Sequence, residues 1–161
     1  MKKLFICYRN EDHQEVNILV EELRIRGIDV WIDKDYGFKI GDITPSEARR
    51  VIQDDCFGLL LYATPEAFDR PFIKKIELDE AIRRKDENPD FLLIALPVRM
   101  DFSELTKLGQ KEFGIDMSLF HSYAIHDIAN CDNSTLHSQL SKVANMILIK
   151  ILDMAKDGYF K

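Results

Sequence analysis

Residues 56–63 read CFGLLLYA, a run of apolar residues, one tyrosine and one glycine. A strand without a polar face is typical of the interior of a parallel sheet, because helices cover both faces of such a sheet. The segment TPEAFDRP (64–71) follows and predicts a loop or an interrupted helix start. We therefore predict that residues 56–63 form a central strand.

Apolar runs and amphipathic segments alternate on both sides of this strand. Further strands are predicted for residues 4–8, 28–33, 91–98 and 119–126. Helices are predicted for residues 11–27, 46–55, 71–85 and 133–158. Gly27 ends the first helix. Ser46 is a candidate cap of the second, although Pro45 leaves this boundary open, and residues 99–117 show no clear pattern.

Five strands that alternate with helices indicate a doubly wound, flavodoxin-like α/β domain with a parallel sheet and helices on both faces. In such sheets, ligands bind at the carboxyl ends of the strands, near the point where the strand order reverses. The segments expected at those ends are CYRNED (7–12), DKDYGFKIGD (33–42), YATPEAFDRP (62–71) and PVRMDF (97–102).

Length and composition indicate one domain over residues 1–161, with 46% hydrophobic and 31% charged residues. The net charge of -6 argues against a nucleic-acid-binding surface. The apolar run at the start of the chain is too short for the core of a signal peptide, so a cytoplasmic location is expected. The three cysteines, Cys7, Cys56 and Cys131, form no CxxC motif, and we expect buried, reduced thiols.

The sequence lacks the motifs of several reactions and binding functions that are common among α/β domains. The sequence contains no GxxxxGK[ST] phosphate loop, no GxGxxG and no GxSxG. The four histidines show no metal-ligand spacing, so no metal site is expected. A phosphoryl-accepting receiver domain needs an aspartate after the third strand and a lysine after the fifth, but these strands end in LLYAT and YAIHD.

Four motifs in order resemble the Toll/interleukin-1 receptor (TIR) domain. They are LFICYRNED (4–12), GIDVWIDKDYGFKIGD (27–42), FGLLLYATPEAF (57–68) and PFIKKIELDEAI (71–82). Cys7 replaces the usual serine of the first motif, and Ala63 or Thr64 stands where a serine usually ends the third. In the fourth, the family's Glu-Leu pair is present, but Ile73 replaces the tryptophan that usually lies four residues earlier.

The resemblance implies two functions. Many bacterial, plant and some animal TIR domains hydrolyse or cyclise NAD with the glutamate of the Glu-Leu pair, which is Glu77 here; many animal members are adaptors that act by self-association. The first alternative is an NAD-cleaving effector in bacterial anti-phage immune signalling that is active on assembly. It would be the N-terminal module of a longer protein, before a sensor that binds a cyclic oligonucleotide. The second is a non-catalytic TIR scaffold.

The proposed chemistry needs few residues. The nicotinamide–ribose bond of NAD has a cationic leaving group that departs neutral, so no general acid is required, unlike in ordinary glycosides. One carboxylate is sufficient to orient the ribose and stabilise the oxocarbenium charge. NAD is then the substrate, with no cofactor and no metal, and the product is ADP-ribose or a cyclic isomer.

Five further residues are candidates for contact with NAD. Tyr8 and Arg9 follow the first strand; Arg9 would face a phosphate or be an exposed loop residue, and Tyr8 would line the pocket or the core. Asp33 would contact ribose or end its strand. Phe38 would gate the pocket or form TIR–TIR contacts within the long loop 34–45, or fold back, and Ile73 would lie beside the nucleotide.

The remaining charged residues near Glu77 are expected on the solvent face of the helix. Asp79 and Glu80 are predicted to pair with Lys75, Arg83 or Arg84. The alternative to a catalytic role for Glu77 is that it too lies on the solvent face of this helix. Trp31 lies within a predicted strand and is expected in the core, although it would also suit a site.

Overall fold

A computed structural model of the protein describes residues 2–32, 44–69, 71–123 and 133–158. It contains a five-stranded sheet with the spatial order β2-β1-β3-β4-β5, in which all neighbouring strands are parallel. The strands are β1 (Lys3–Cys7), β2 (Val30–Trp31), β3 (Cys56–Ala63), β4 (Leu92–Pro97) and β5 (His121–Ser122). The predicted doubly wound fold and the central place of residues 56–63 are confirmed.

Helices cover both faces of the sheet. They are α1 (His13–Ile25), α2 (Pro45–Arg50), α3 (Pro71–Glu87), α4 (Phe102–Leu108) and α5 (Asn133–Lys156). Helices α2 and α4 continue into wider π-helical turns, and single 3-10 turns occur at Asn10–Asp12, Pro65–Asp69 and Met117–Leu119. Helices α1 and α5 pack on one face, whereas α2, α3 and α4 pack on the other.

The side chains of the strands divide between these two faces. Leu4 and Ile6 pack with α1 and α5, whereas Phe5 and Cys7 pack with the helices of the opposite face. Trp31 stacks on Phe5 with ring centroids 4.7 Å apart, which confirms its predicted place in the core. All eight residues of β3 are buried, because both faces of this strand are covered.

β3 and β4 approach each other closely at Gly58. A Cβ atom at this position would lie 2.6 Å from the backbone oxygen of Leu92 and 2.9 Å from its Cβ. The glycine is therefore required by the packing of the two strands.

The buried thiols agree with the expectation from the sequence. Cys7 and Cys56 are both buried, and burial raises the pKa of Cys56 to about 12, so this thiol stays protonated. Cys131 lies outside the described residues. No helix in the described ranges is long and apolar enough to cross a membrane.

Two helices, α2 and α4, start where the sequence analysis did not place a helix start. Helix α2 is capped by Thr44, whose hydroxyl accepts from the Glu47 backbone N–H at 3.2 Å, and not by Ser46. Pro45 occupies the first helical position, where its missing N–H costs nothing, so the helix starts one residue earlier than predicted. The segment 99–117 contains α4, which Asp101 caps by accepting from the Glu104 N–H at 2.8 Å.

The fifth strand is also shorter than predicted in the part that the structure describes. Only two residues of β5 pair with β4, and Leu119 belongs to the preceding 3-10 turn. Residues 124–126 and most of the predicted loop 34–45 lie outside the described residues.

Candidate functional site

The topology locates the switch point of the sheet between β1 and β3. The chain passes from β1 outward to β2 and then returns to the other side of β1 to form β3. The connections that follow β1 and β3 therefore diverge, and doubly wound sheets generally bind their ligands at such a point. The residues at this edge are Tyr8 to Asp12 after β1, and Thr64 after β3.

A buried carboxylate lies at this edge. Asp12 is only 3% exposed. Its Oδ1 accepts from Arg9 Nη2 at 2.8 Å and its Oδ2 from Arg9 Nε at 3.2 Å. The Thr64 hydroxyl donates to the same Oδ2 at 2.8 Å, although the two residues are 52 positions apart. Asp12 directly precedes α1, but its carboxylate makes no capping bond to this helix among the described residues.

A second arginine reaches the same carboxylate from β4. Arg99 Nη2 lies 3.6 Å from Asp12 Oδ1, and Arg99 Nη1 donates to Glu15 Oε1 at 2.9 Å. The Tyr62 hydroxyl also donates to Glu15 Oε1, at 3.4 Å. We call these six residues, Arg9, Asp12, Glu15, Tyr62, Thr64 and Arg99, the Asp12 cluster. It joins the carboxyl ends of β1, β3 and β4.

Arg99 adopts a backbone conformation that L-residues rarely occupy. Its φ is +58°, the only positive value at a non-glycine residue in the described ranges. Such a conformation costs on the order of 1–3 kcal/mol and persists where the surroundings hold it. The backbone N–H of Val98, just before it, donates to the Ala63 carbonyl at 2.9 Å and extends the pairing of β3 with β4 to this point.

Charges in the Asp12 cluster are balanced and mutually stabilised. The hydrogen bond to Asp12 raises the pKa of Arg9. Burial lowers the pKa of Arg99, but its hydrogen bond to Glu15 and the nearby carboxylates outweigh this, and the net shift is upward. Burial, with the charge of Glu15, raises the pKa of Tyr62 well above its usual value. Both guanidinium groups therefore stay charged, and the Tyr62 hydroxyl remains a donor.

Glu77 lies on the opposite face of the sheet from α1, on the helix that follows the β3 connection. Its side chain is 5% exposed, next to Leu78 and near Ala81, which are both fully buried. Lys75 and Asp79 form the predicted ion pair at 2.8 Å on the exposed face of α3. Glu77 therefore does not lie on the solvent face, which was the alternative to a functional role.

Glu80 differs from the prediction in its exposure. It pairs with Arg83 at 2.5 Å as expected, but it is as buried as Glu77, at 5% exposure. The reason is that α3 packs against α2 and its π-helical turn as well as against β4, so the buried sector of the helix is wide. The partner Arg83 is half exposed and brings the charge of this pair to the surface.

The other predicted site residues divide into two groups. Tyr8 is 1% exposed and belongs to the core on the α1 side, with its ring 6.4 Å from that of His13. Arg9 keeps a quarter of its side chain exposed within the Asp12 cluster. Asp33 and Phe38 lie outside the described residues, as does the side chain of Ile73. Their roles stay predictions.

Among the six members of the Asp12 cluster, the sequence predicts a site role for Arg9 alone. Asp12 and Arg99 belong to the segments CYRNED and PVRMDF, which were expected at the carboxyl edge, but no local pattern distinguished them. Thr64 was noted only as a replacement for a serine, and its hydroxyl proves to be a buried donor. Within the described ranges, no group of His, Cys, Asp and Glu is arranged to hold a metal ion.

A protein-family model described as "TIR domain" matches residues 4–128. The chain belongs to the TIR domain family. The matched residues of this TIR domain extend from β1 to beyond β5 and end before α5. TIR domains generally self-associate and serve in signal transduction. A search of curated proteins finds no sequence that matches.

Among solved structures, the diflavin flavoprotein A3 from Nostoc sp. is similar to this TIR domain. The TM-score is 0.60 at 12% identity, and the alignment covers 99% of both chains. At this identity, the similarity shows a common flavodoxin-like fold.

Proposed function

We propose that this TIR domain cleaves NAD at the nicotinamide–ribose bond, with Glu77 as the catalytic carboxylate, and that it serves as an assembly-activated effector in bacterial immune signalling. The observation that carries the proposal is the burial of Glu77, at 5% exposure, at the position of the family's catalytic glutamate. Burial of an ionisable side chain costs free energy, so a buried glutamate indicates a structural or a catalytic use.

The reaction is balanced with one carboxylate and water. The C–N bond to nicotinamide breaks with its electron pair going to the ring nitrogen, and neutral nicotinamide leaves. The positive charge that develops on the ribose is stabilised by the Glu77 carboxylate. Attack by water, with loss of a proton, gives ADP-ribose; attack by a nitrogen of the adenine ring gives a cyclic isomer.

The burial of Glu77 strengthens this stabilisation. A carboxylate that is screened little by water interacts more strongly with a developing cation than an exposed one does. A group that is already in place when the charge develops also needs no reorganisation in the transition state.

A second candidate function is a scaffold that acts by TIR–TIR contacts alone. The observation in its favour is Ile73, which stands where NAD-cleaving relatives commonly have a tryptophan. An aliphatic side chain cannot offer the same stacking surface to the nucleotide. Loop 34–45 with Phe38 would be the contact surface in both functions, and a fused sensor for a cyclic oligonucleotide would supply the activating signal.

The two functions are separated by an assay of nicotinamide release. The purified domain is incubated with NAD across a wide dilution series, and in parallel as a fusion to a dimerising or trimerising module. We expect the activity per molecule to rise steeply with concentration and with tethering. An activity per molecule that stays constant on dilution would refute control by assembly. A domain that releases no nicotinamide even when tethered would favour the scaffold.

A further inference from the structure

We infer that helix α5 packs antiparallel on α5 of a second copy of this chain, about a two-fold axis between residues 147 and 148. TIR domains generally self-associate, but family membership does not say which surface does so, and loop 34–45 is the surface that the sequence predicts. The inferred interface is a different surface, and it does not depend on whether the domain cleaves NAD.

Large apolar side chains that remain exposed are concentrated along α5. Six such side chains are exposed among the described residues, and three of them, Met146, Ile149 and Leu152, lie on the second half of this helix at 46%, 59% and 52% exposure. A fourth, Ile25, is the last residue of α1 and is 76% exposed. Single exposed apolar residues are ordinary, but a continuous patch of them usually marks an interaction surface.

The patch is exposed because α5 extends past the helix that packs beside it. α5 has 24 residues and is about 36 Å long, whereas α1 has 13 residues and is about 20 Å long. The end of α1 is fixed against the middle of α5, because Arg26 donates to Asn145 Oδ1 at 2.7 Å and to Ser141 Oγ at 3.0 Å. α1 therefore covers only the first half of α5.

Opposite charges lie at the two ends of the exposed apolar residues. Lys142, Met146, Ile149 and Asp153 are spaced by four, three and four residues, so they share one face of the helix. We call these four residues the α5 stripe. All four are exposed, and within the described ranges neither Lys142 nor Asp153 forms an ion pair. The order along the stripe is positive, apolar, apolar and negative.

This order is complementary to itself when the direction of the helix is reversed. A two-fold axis makes every contact reciprocal, so each contact occurs twice. With the axis between residues 147 and 148, Lys142 lies opposite the partner's Asp153, and Met146 lies opposite the partner's Ile149. The pair is then joined by an apolar centre with an ion pair at each end. A parallel arrangement would instead bring lysine against lysine.

The same axis provides contacts for Leu152 and Ile25. Leu152 follows Ser141 and Asn145 by eleven and seven residues, so it lies on the side of α5 that α1 covers in the first half. In the antiparallel pair, Leu152 comes to the level of residue 143 of the partner, where the partner's α1 ends. Two-fold symmetry keeps both α1 helices on the same side of the helix pair. Leu152 therefore lies beside the partner's Ile25.

The experiment measures the dimerisation of the chain by sedimentation velocity, up to about 1 mM, because an interface of one helix pair is small and small interfaces are weak. The variants are Lys142→Glu, Asp153→Lys and an equimolar mixture of the two, with Ile149→Ser as a test of the apolar centre. The control is Lys111→Glu, which makes the same change of charge at a residue that is 80% exposed near the opposite face of the sheet. Melting temperatures are recorded for every variant, and the exposed positions should leave them unchanged.

We expect Lys142→Glu and Asp153→Lys each to weaken dimerisation by about tenfold to a hundredfold, because each places like charges opposite each other at both ends of the pair. In the mixture, the carboxylate at position 142 of one variant faces the ammonium group at position 153 of the other, and the native pair is kept at the other end. The mixture should therefore form a heterodimer as tightly as the parent forms its homodimer. Ile149→Ser should weaken dimerisation, and Lys111→Glu should leave it unchanged.

Three results would overturn the inference. They are a parent that stays monomeric at the highest concentration, a parent dimer that Lys142→Glu leaves unchanged, and a mixture that associates no better than either variant alone. The second result would indicate another surface, such as loop 34–45. A parent that dimerises through α5 but releases no nicotinamide from NAD would support this interface and count against the proposed enzyme, so the two failures are distinguishable.

Discussion

Glu77→Gln is the substitution that most directly tests the NAD cleavage that we propose for this TIR domain. Glutamine keeps the size of the side chain and its hydrogen-bonding capacity, but it removes the negative charge. Because Glu77 is only 5% exposed, water screens this charge little. At an effective dielectric constant of about 20, a unit charge about 4 Å from a developing cation contributes about 4 kcal/mol. Loss of one pre-positioned electrostatic group typically costs about 2.7–4 kcal/mol, so the rate should fall by roughly a hundredfold to a thousandfold.

Two matched controls lie on the same helix. Asp79→Asn removes a charge from the exposed face, where Asp79 pairs with Lys75, and should change neither the rate nor the melting temperature appreciably. Glu80→Gln removes a charge that is as buried as that of Glu77. It should lower stability by weakening the bond to Arg83 while it leaves NAD cleavage almost unchanged. This second control separates the effect of losing a buried charge from the effect of losing the carboxylate that we propose to be catalytic.

The assay is nicotinamide release by the parent and the three variants, at the concentration or tethering where the parent is active. Melting temperatures establish that each variant is folded at the assay temperature. Equal rates for the parent and Glu77→Gln would refute the catalytic role of Glu77. A loss in Glu80→Gln as large as that in Glu77→Gln would show that the charge of α3, and not one carboxylate, is responsible.

Two further predictions concern stability. Gly58→Ala should destabilise the domain by about 1–3 kcal/mol in urea unfolding, because the new Cβ would lie 2.6 Å from the Leu92 carbonyl oxygen; stability equal to the parent's would refute the close approach of β3 and β4. The bonds from Arg26 and His137 lower the pKa of Glu22 below its ordinary 4.5, so the stability that Glu22 contributes is present above that pH and is lost as the pH falls through the lower, folded-state value. Melting temperatures between pH 6 and pH 3 should therefore fall less steeply for Glu22→Gln than for the parent, and parallel curves would contradict this.

Local signals were sufficient for most of the helices and strands but not for their exact ends. Thr44 and Ser46 are both acceptable caps, and the choice between them depends on Pro45, whose ring suits the first helical position. The start of α4 was readable in principle, since Asp101 and Glu104 have the spacing of a helix cap. The segment after this cap shows no regular apolar period, so the cap spacing alone does not establish a helix there.

The burial of carboxylates on α3 shows the limit of local patterns. Glu77, Asp79 and Glu80 are similar in sequence, and helical geometry alone gives only their relative directions. How wide a sector of α3 is covered depends on helix α2 and on β4, which belong to other parts of the chain. The structure therefore buries Glu80 together with Glu77, and only Asp79 remains at the surface.

The sequence by itself determined the class of the fold. The unbroken apolar run of β3, between segments that alternate strand and helix, has few solutions other than a covered parallel sheet, because buried backbone must be paired and apolar faces must be covered. The same run located the carboxyl edge of the sheet, which is where doubly wound sheets generally bind their ligands.

Only the tertiary structure decided which side chains meet at that edge. Glu15 and Arg99 are 84 residues apart, and Asp12 and Thr64 are 52 residues apart, so no local period relates them. Their contact follows from the strand order β2-β1-β3-β4-β5, which brings the ends of β1, β3 and β4 side by side. Sequence periodicity reports whether a residue faces the core of its own helix or strand, but the partners of a polar side chain depend on which elements become neighbours.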